Sequence, residues 1–286
     1  MNGFISLFAR LPPSMSGLAI GSRGGFIHGV DYNRRMPGVS SRHRNGNSMG
    51  VIYAGTSGWA YPAWKPAFYP AKLASAKFLG YYAARVNSTE VNYTFRRFPT
   101  EKLLSGWAEA TPAGFKFAIK AHQTITHVKR LQDAAQFTKD FLHALHPLRD
   151  AGKLGPVLFQ LPPFLKRDSV RLGAFLSELP KAHRAAFEFR DPSWFCEEVY
   201  SLLRGANAAL CLAESEKLET PKVQTADFCY FRLRNPEKMD SAAEREALSR
   251  TVNDLARGGD VFVYFKHEDS PEGVLRAEEL LAKVKH

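Results

Sequence analysis

Short apolar runs alternate with amphipathic segments along this chain from residue 51 onward. The runs are rich in β-branched and aromatic residues and have the length of buried strands. Strands followed regularly by helices build a parallel sheet, because parallel neighbours need long crossover connections. We predict eight strands, over residues 51–55, 87–91, 115–120, 157–160, 185–189, 208–212, 228–233 and 261–265.

Helical signals fill the segments between these strands. Leu172, Phe175 and Leu176 recur at the spacing of one helix face, and a second such stripe covers residues 248–256. Ser241 lies three residues before a glutamate, which is the spacing of a capping box. Asp191 before a proline predicts the N-terminus of another helix.

Eight strands with eight crossovers can close into a barrel without an exposed edge. A doubly wound sheet would ordinarily carry a nucleotide fingerprint, but neither G-x-G-x-x-G nor a P-loop motif occurs. The connection after the sixth strand has the weakest helix signal, because Pro221 interrupts it. We predict an α/β fold, a single (β/α)8 TIM-barrel-like domain over residues 49–286.

Residues 1–48 differ in composition from the rest of the chain. Six arginines against the single acid Asp31 give this segment +5 of the formal net charge of +11. We interpret it as a basic, low-structure tail or as a misassigned start upstream of Met49. An acid-poor, arginine-rich leader also fits a transit peptide, although glycine and proline interrupt any long amphipathic helix.

Composition excludes two broad classes of protein. No apolar run reaches the roughly 18 residues that span a bilayer. Cys196, Cys211 and Cys229 show no C-x-x-C spacing, so neither a disulfide framework nor a cysteine zinc site is indicated. We expect a cytoplasmic protein that does not bind membranes.

Polar residues recur where the predicted strands end. Barrels of this kind bind ligands at the C-terminal ends of their strands, which makes this set the candidate site. Charges at such positions must either pair with one another or bind a ligand. The set comprises Ser57, Trp59, Glu90, Asn92, Lys120, His122, Gln160, Glu188, Arg190, Glu214, Arg232, Arg234, Lys266, His267 and Glu268.

Carboxylates and cations within this set suggest acid–base chemistry on an anion. We predict that Glu90, Glu188 and Lys120 are catalytic, with the glutamates transferring protons and the lysine contributing to a cationic clamp. An internal network of ion pairs would give the same sequence pattern, so both interpretations stay open. The predicted substrate-binding residues are Ser57, Trp59, Asn92, His127, Gln160, Arg190, Trp194, Arg232 and Lys266.

Aromatic residues crowd the loop after the first strand. They either stack on a sugar or base or form a hydrophobic plug around three prolines. The residues are Trp59, Tyr61, Trp64, Phe68 and Tyr69.

Metal ligands are weakly indicated. Glu90, Glu188 and Glu214 could contribute carboxylates, but neither H-x-H nor H-E-x-x-H occurs. We assign no metal ligand and leave the cofactor open, with loosely held Mg²⁺ as the one candidate.

Four segments of the chain resemble the YecE-like family in matching order. They are AGTSGW at residues 54–59, NSTEVNYTF at 87–95, FAIK at 117–120 with TH at 126–127, and FEFRDPSW at 187–194. The resemblance covers about residues 51–268 and implies a TIM-barrel-like domain of unknown function. The chain departs from the family pattern after the seventh strand, where it has RLRN, and after the eighth, where it has KHE.

These observations favour an enzyme, a hydrolase or isomerase with glutamate as general acid or base. Its substrate would be phosphorylated or otherwise anionic, such as a sugar phosphate or a nucleic-acid backbone. The alternatives are a non-enzymatic nucleic-acid-binding module, which the basic balance permits, and a partner-binding scaffold. Sequence leaves the oligomeric state open.

Overall fold

The structure is a computed structural model that describes residues 49–214, 218–234, 240–266 and 269–284. The predicted low-structure segment over residues 1–48 lies outside these residues. The described chain contains eight strands: β1 Ile52–Thr56, β2 Ser88–Val91, β3 Lys116–Lys120, β4 Leu154–Gln160, β5 Ala185–Glu188, β6 Ala209–Ala213, β7 Phe228–Leu233 and β8 Asp260–Phe265.

All strand pairs are parallel, in the order β1-β8-β7-β6-β5-β4-β3-β2. An isolated parallel bridge between Ser57 and Glu90 brings β2 back beside β1. The sheet is therefore a nearly closed barrel, which confirms the predicted TIM-barrel-like fold.

Helices alternate with the strands in the described chain. The predicted stripe of the fifth helix is buried through Leu172, Phe175 and Leu176, and Ser241 accepts a hydrogen bond from the Glu244 amide at 3.4 Å. The helices are α1 Phe78–Ala83, α2 Glu101–Glu109, α3 Ala135–Ala144, α4 His146–Asp150, α5 Ser169–Glu178, α6 Glu197–Gly205, α7 Ala242–Ala256 and α8 Glu272–Lys283.

Two sequence predictions of helical structure were wrong in detail. Asp191 caps the short 3-10 turn Pro192–Trp194, because its carboxylate accepts from the Ser193 amide at 3.0 Å, and α6 begins only at Glu197. Residues 218–227 between β6 and β7 contain no helix. This part of the connection bonds to β6 instead, where the Leu210 amide donates to the Thr225 hydroxyl at 2.8 Å.

The loop after β1 holds a buried aromatic cluster. Trp64, Phe68 and Tyr69 are at most 2% exposed, and Tyr69 stacks on Phe78 of α1 with ring centroids 4.1 Å apart. These three rings therefore belong to the hydrophobic plug, one of the two interpretations that the sequence left open.

We call the junction between β1 and β2 the seam. The backbone hydrogen bonds across it are incomplete, and side chains supply further bonds. The Asn87 amide accepts from the Ala54 N–H and donates to the Ile52 carbonyl, both at 2.8 Å. Gly55 lets the strands approach, since a Cβ there would lie 1.8 Å from the Ser88 carbonyl oxygen. The Asn87 side chain thus takes the place of a neighbouring strand's peptide group.

Replacing Asn87 with alanine removes both seam bonds and leaves two backbone groups of β1 without these partners. We expect a loss of about 1–3 kcal/mol in the free energy of unfolding, measured by urea denaturation. Asn253→Ala is the matched control, because that amide bonds only to the Ser249 carbonyl within α7; it should stay within about 0.5 kcal/mol of wild type. Equal effects of the two substitutions would contradict this account of the seam.

Candidate functional site

The alternation of strand side chains places polar groups inside the C-terminal end of the barrel. Below them the interior is apolar, with Tyr53 stacked on Phe262 at 4.8 Å. Glu188 is buried inside, whereas its neighbour Phe187 packs on Phe175 of α5 outside the sheet. The interior face of β5 thus carries apolar Ala186 and, at its C-terminal end, Glu188.

Arg232 of β7 connects two buried carboxylates. It is 2% exposed, and its Nη2 donates to Glu90 Oε1 of β2 at 2.8 Å while its Nη1 donates to Glu188 Oε2 of β5. Glu90, which is fully buried, also accepts from the Ser57 hydroxyl and the Tyr230 hydroxyl, each at 2.8 Å. We call Glu90, Glu188 and Arg232 the buried triad.

Two further side chains donate hydrogen bonds to the Glu188 carboxylate. Gln160 Nε2 donates to Oε1 at 2.9 Å, and Arg234 Nη2 donates to the same oxygen at 3.0 Å. Burial opposes ionisation of Glu188, but Arg232 and Arg234 outweigh it and lower its pKa to about 2. Burial likewise opposes ionisation of Glu90, and Arg232 again outweighs it, so that its pKa is lowered.

Lys120, at the end of β3, lies in a different environment. Its ammonium group lies over the Phe95 ring, 4.2 Å from the centroid, and within the described residues it forms no ion pair. Burial and the nearby charge of Arg232 lower its pKa to about 8, although Glu90 and Glu188 partly oppose this shift. Its proton can therefore exchange close to neutral pH.

His127 and Arg190 extend the positive charge around Lys120. His127 packs edge-on against the same Phe95 ring at 5.0 Å. Burial lowers its pKa, and the positive charges of Lys120 and Arg190 lower it further. Arg190 is exposed and has no ion pair among the described residues.

Other predicted site residues have separate surroundings. Asn92 has a buried Oδ1 with no hydrogen-bond partner in the described chain. Trp59 packs edge-on against Trp107 of α2 at 5.2 Å. Trp194 stacks on Phe189 at 4.6 Å and donates from its indole nitrogen to a loop carbonyl. Lys266 is half-buried directly after β8.

The structure also adds residues that were not among the predicted site residues. Tyr230 bonds to Glu90, and Phe95 contacts both Lys120 and His127. The period of a strand could have identified Tyr230, because it lies two residues before Arg232 on the same face of β7.

Two of the three carboxylates weighed as metal ligands, Glu90 and Glu188, bond to an arginine instead. Both carboxylates of the buried triad bond to Arg232, and no three histidine, cysteine, aspartate or glutamate side chains gather within the described ranges. The departures from the family pattern at Asn235, His267 and Glu268 lie outside the described residues. Among the helices that the structure describes, none has the length and apolar character to cross a membrane.

Comparison with known proteins gives one consistent family. The UPF0759 protein YunF of Bacillus subtilis (strain 168) is 30% identical over 156 residues, which are 52% of this chain and 54% of that protein. The match thus spans about half the length of that relative.

Two solved structures are similar over most of the chain. A DUF72 family protein from Thermotoga maritima MSB8 is 27% identical with a TM-score of 0.70, covering 81% of this chain and 98% of that one. A DUF72 family protein from Enterococcus faecalis V583 is 18% identical with a TM-score of 0.64, covering 83% and 99%, and shows the likeness of fold alone. Residues 53–286 match the family described as protein of unknown function DUF72. The chain therefore belongs to the DUF72 family.

Proposed function

We propose that this protein is an enzyme that acts on a phosphorylated or otherwise anionic substrate at the C-terminal end of its barrel. The supporting observation is an excess of positive charge. Arg232 and Arg234 balance the charges of Glu90 and Glu188, to which they bond. Lys120 then adds positive charge that no carboxylate in the described residues neutralises by an ion pair.

Neighbouring groups would complete an anion site around Lys120. Exposed Arg190 offers bidentate donors to a phosphate or carboxylate, and the orphaned Asn92 Oδ1 accepts a hydroxyl of the substrate. An anion bound here would favour the protonated form of Lys120 and stabilise its charge.

The pKa values favour Lys120 for proton transfer, whereas the sequence-based expectation gave this role to Glu90 and Glu188. Glu90 and Glu188 are held ionised, so they are poor general acids at neutral pH, and their role in the proposal is to fix Arg232. Lys120, with a pKa of about 8, is the group suited to give or take a proton. Such transfer serves hydrolysis as well as isomerisation, and the proposal covers both.

A screen of the full chain tests the proposal directly. Phosphosugars and nucleotides that bind the native state should raise the melting temperature, and each hit is then followed for turnover by phosphorus NMR. Binding without chemical change of any hit would favour the partner-binding scaffold over an enzyme.

Affinity for a simple anion should depend on the protonation of Lys120. Sulfate is the probe, because its charge is constant between pH 6 and pH 10, and titration calorimetry is the measurement. If the protonated lysine binds it, affinity falls about tenfold between pH 7 and pH 9 around a pKa of about 8.

Variants separate this effect from general surface charge. Lys120→Ala should bind sulfate weakly with a flat pH profile, and Lys120→Arg should retain binding at pH 9 because the guanidinium stays charged. Lys181→Ala is the control, an exposed lysine before β5 at the opposite end of the barrel. A wild-type profile in Lys120→Ala would remove this residue from the site.

Loss of Arg232 should reverse the pH dependence of stability. Arg232→Met leaves two buried carboxylates without their main partner, and we expect a loss of about 3–5 kcal/mol at neutral pH. Wild type loses the contribution of Glu188 as the pH falls toward its folded pKa of about 2. In the variant, burial raises the carboxylate pKa values, so stability increases on mild acidification.

Urea denaturation between pH 4 and pH 8 measures this reversal. Arg250→Met is the control, because Arg250 forms only an exposed pair with Glu246 at 3.5 Å; its effect should be below about 1 kcal/mol. If Arg232→Met alone does not fold, adding Glu90→Gln and Glu188→Gln should restore folding by removing the unpaired charges. A variant that loses stability on acidification as wild type does would contradict the assigned ion pairs.

A further inference from the structure

Three consecutive loops at the C-terminal end of the barrel are strongly basic. Residues 92–100, 121–134 and 161–168, which connect β2, β3 and β4 to the helices that follow them, contain six lysines and arginines against two acids, Asp133 and Asp168. We call these three segments the basic surface. Its cations are Arg96, Arg97, Lys129, Arg130, Lys166 and Arg167.

Contacts between the loops make the basic surface continuous. Phe98 of the first loop packs on His122 of the second at 5.5 Å. The Arg130 guanidinium of the second loop lies over the Phe164 ring of the third, 5.1 Å from its centroid. A long ligand could therefore contact all three loops at once.

Four of the six cations lack a carboxylate partner within the described residues. Arg96 and Arg97 are exposed, Arg130 contacts the Phe164 ring, and Lys129 bonds only to a backbone carbonyl. Lys166 and Arg167, by contrast, pair with Asp191 and Glu198. The uncompensated charge is thus concentrated on the loops after β2 and β3.

Aromatic side chains are exposed among these cations. Tyr93 is 45% exposed, Phe98 39% and Phe164 63%. Exposed rings interleaved with cations suit a single-stranded nucleic acid, because cations contact its phosphates while unpaired bases stack on the rings. A duplex fits less well, since its bases already stack on one another and present only their edges.

The same loops lead to Lys120. Phe95, between Tyr93 and Arg96, carries the ammonium group of Lys120 on its face, and His127 of the second loop packs on the same ring. A strand held on the basic surface would thereby bring a phosphate or base to the proposed anion site.

We propose that the basic surface binds single-stranded nucleic acid, and that the substrate of the proposed enzyme is a nucleotide unit within such a strand. The assignment of a nucleotide unit as substrate rests on the proposed function. Binding of single-stranded nucleic acid by the basic surface can be tested without any turnover.

Binding to a fluorescently labelled oligo(dT) of about 12 nucleotides, within the range that single-strand sites occupy, is measured by anisotropy with the full chain at several salt concentrations. The fourfold variant Arg96→Gln, Arg97→Gln, Lys129→Gln, Arg130→Gln should weaken binding at least tenfold. It should also reduce the slope of log affinity against log salt by about 2–3. The control Lys181→Gln, Arg257→Gln changes exposed cations before β5 and β8, at the opposite end of the barrel, and should leave both quantities unchanged.

Substitution of the rings separates nucleic acid from other polyanions. Tyr93→Ala with Phe164→Ala should weaken oligo(dT) binding about tenfold and leave heparin binding unchanged. Equal binding of heparin and oligo(dT) with no dependence on the rings would overturn the proposal, as would preference for phosphatidylserine vesicles or for duplex DNA of the same length.

Lys120→Ala distinguishes the two proposals from each other. Retained oligo(dT) binding with loss of sulfate binding supports two adjoining sites. Loss of oligo(dT) binding in the fourfold variant, with no turnover of any strand by wild type, would support the binding surface and count against the enzyme. Sulfate binding through Lys120 without any oligo(dT) binding would overturn this inference and leave the anion site in place.

Discussion

Arg232 carries a positive charge into the barrel and divides it between Glu90 of β2 and Glu188 of β5. The three side chains come from strands that are not neighbours in the sheet, so the triad spans the barrel interior. Desolvating three charges is expensive, and in other proteins apolar replacements of buried ion pairs are often as stable. Every remaining donor around the carboxylates, from Ser57 to Arg234, serves to offset this cost. Stability alone therefore gives no sufficient reason for the triad, whereas the proposed anion site would benefit from a preorganised arginine.

The fold could be predicted from sequence because its strands are short, apolar and evenly spaced. The predicted boundaries of elements were wrong where single residues change the backbone pairing. β4 begins at Leu154, three residues before the predicted start, because Pro156 lies where the pairing of β3 with β4 shifts register between Phe117 and Ile119. A proline is tolerated in a strand at such an irregularity. Residues 218–227, the described part of the connection between β6 and β7, lack a helix for a similar reason, since the Thr225 hydroxyl bonds this segment to Leu210 of β6.

The sequence places Glu90, Glu188, Arg232 and Lys120 among the polar residues at strand ends, but it does not give their bonding partners. The positions of these residues at strand ends follow from the sequence, yet which carboxylate an arginine joins depends on the curvature of the closed sheet. Sequence gives no sign that Lys120 lies against Phe95, because the two are 25 positions apart and meet only through neighbouring loops. Trp59 and Trp194 follow strand ends as ligand-binding residues do, but their rings have aromatic partners in the surrounding layer.

The seam between β1 and β2 has a consequence for the chemical lifetime of the protein. Asparagine side chains deamidate slowly when the backbone nitrogen of the next residue attacks the amide, and Asn87 is followed by Ser88, a small residue that hinders this attack little. The product would keep an acceptor for the Ala54 amide but lose the donor to the Ile52 carbonyl, and would set a negative charge against that oxygen. Loss of this one amide would thus loosen the closure of the barrel, and the isoaspartate that the same reaction forms would also add a methylene to the backbone before β2. The two hydrogen bonds of the Asn87 amide also restrain the motion that the reaction requires. The intact seam therefore slows the deamidation of Asn87.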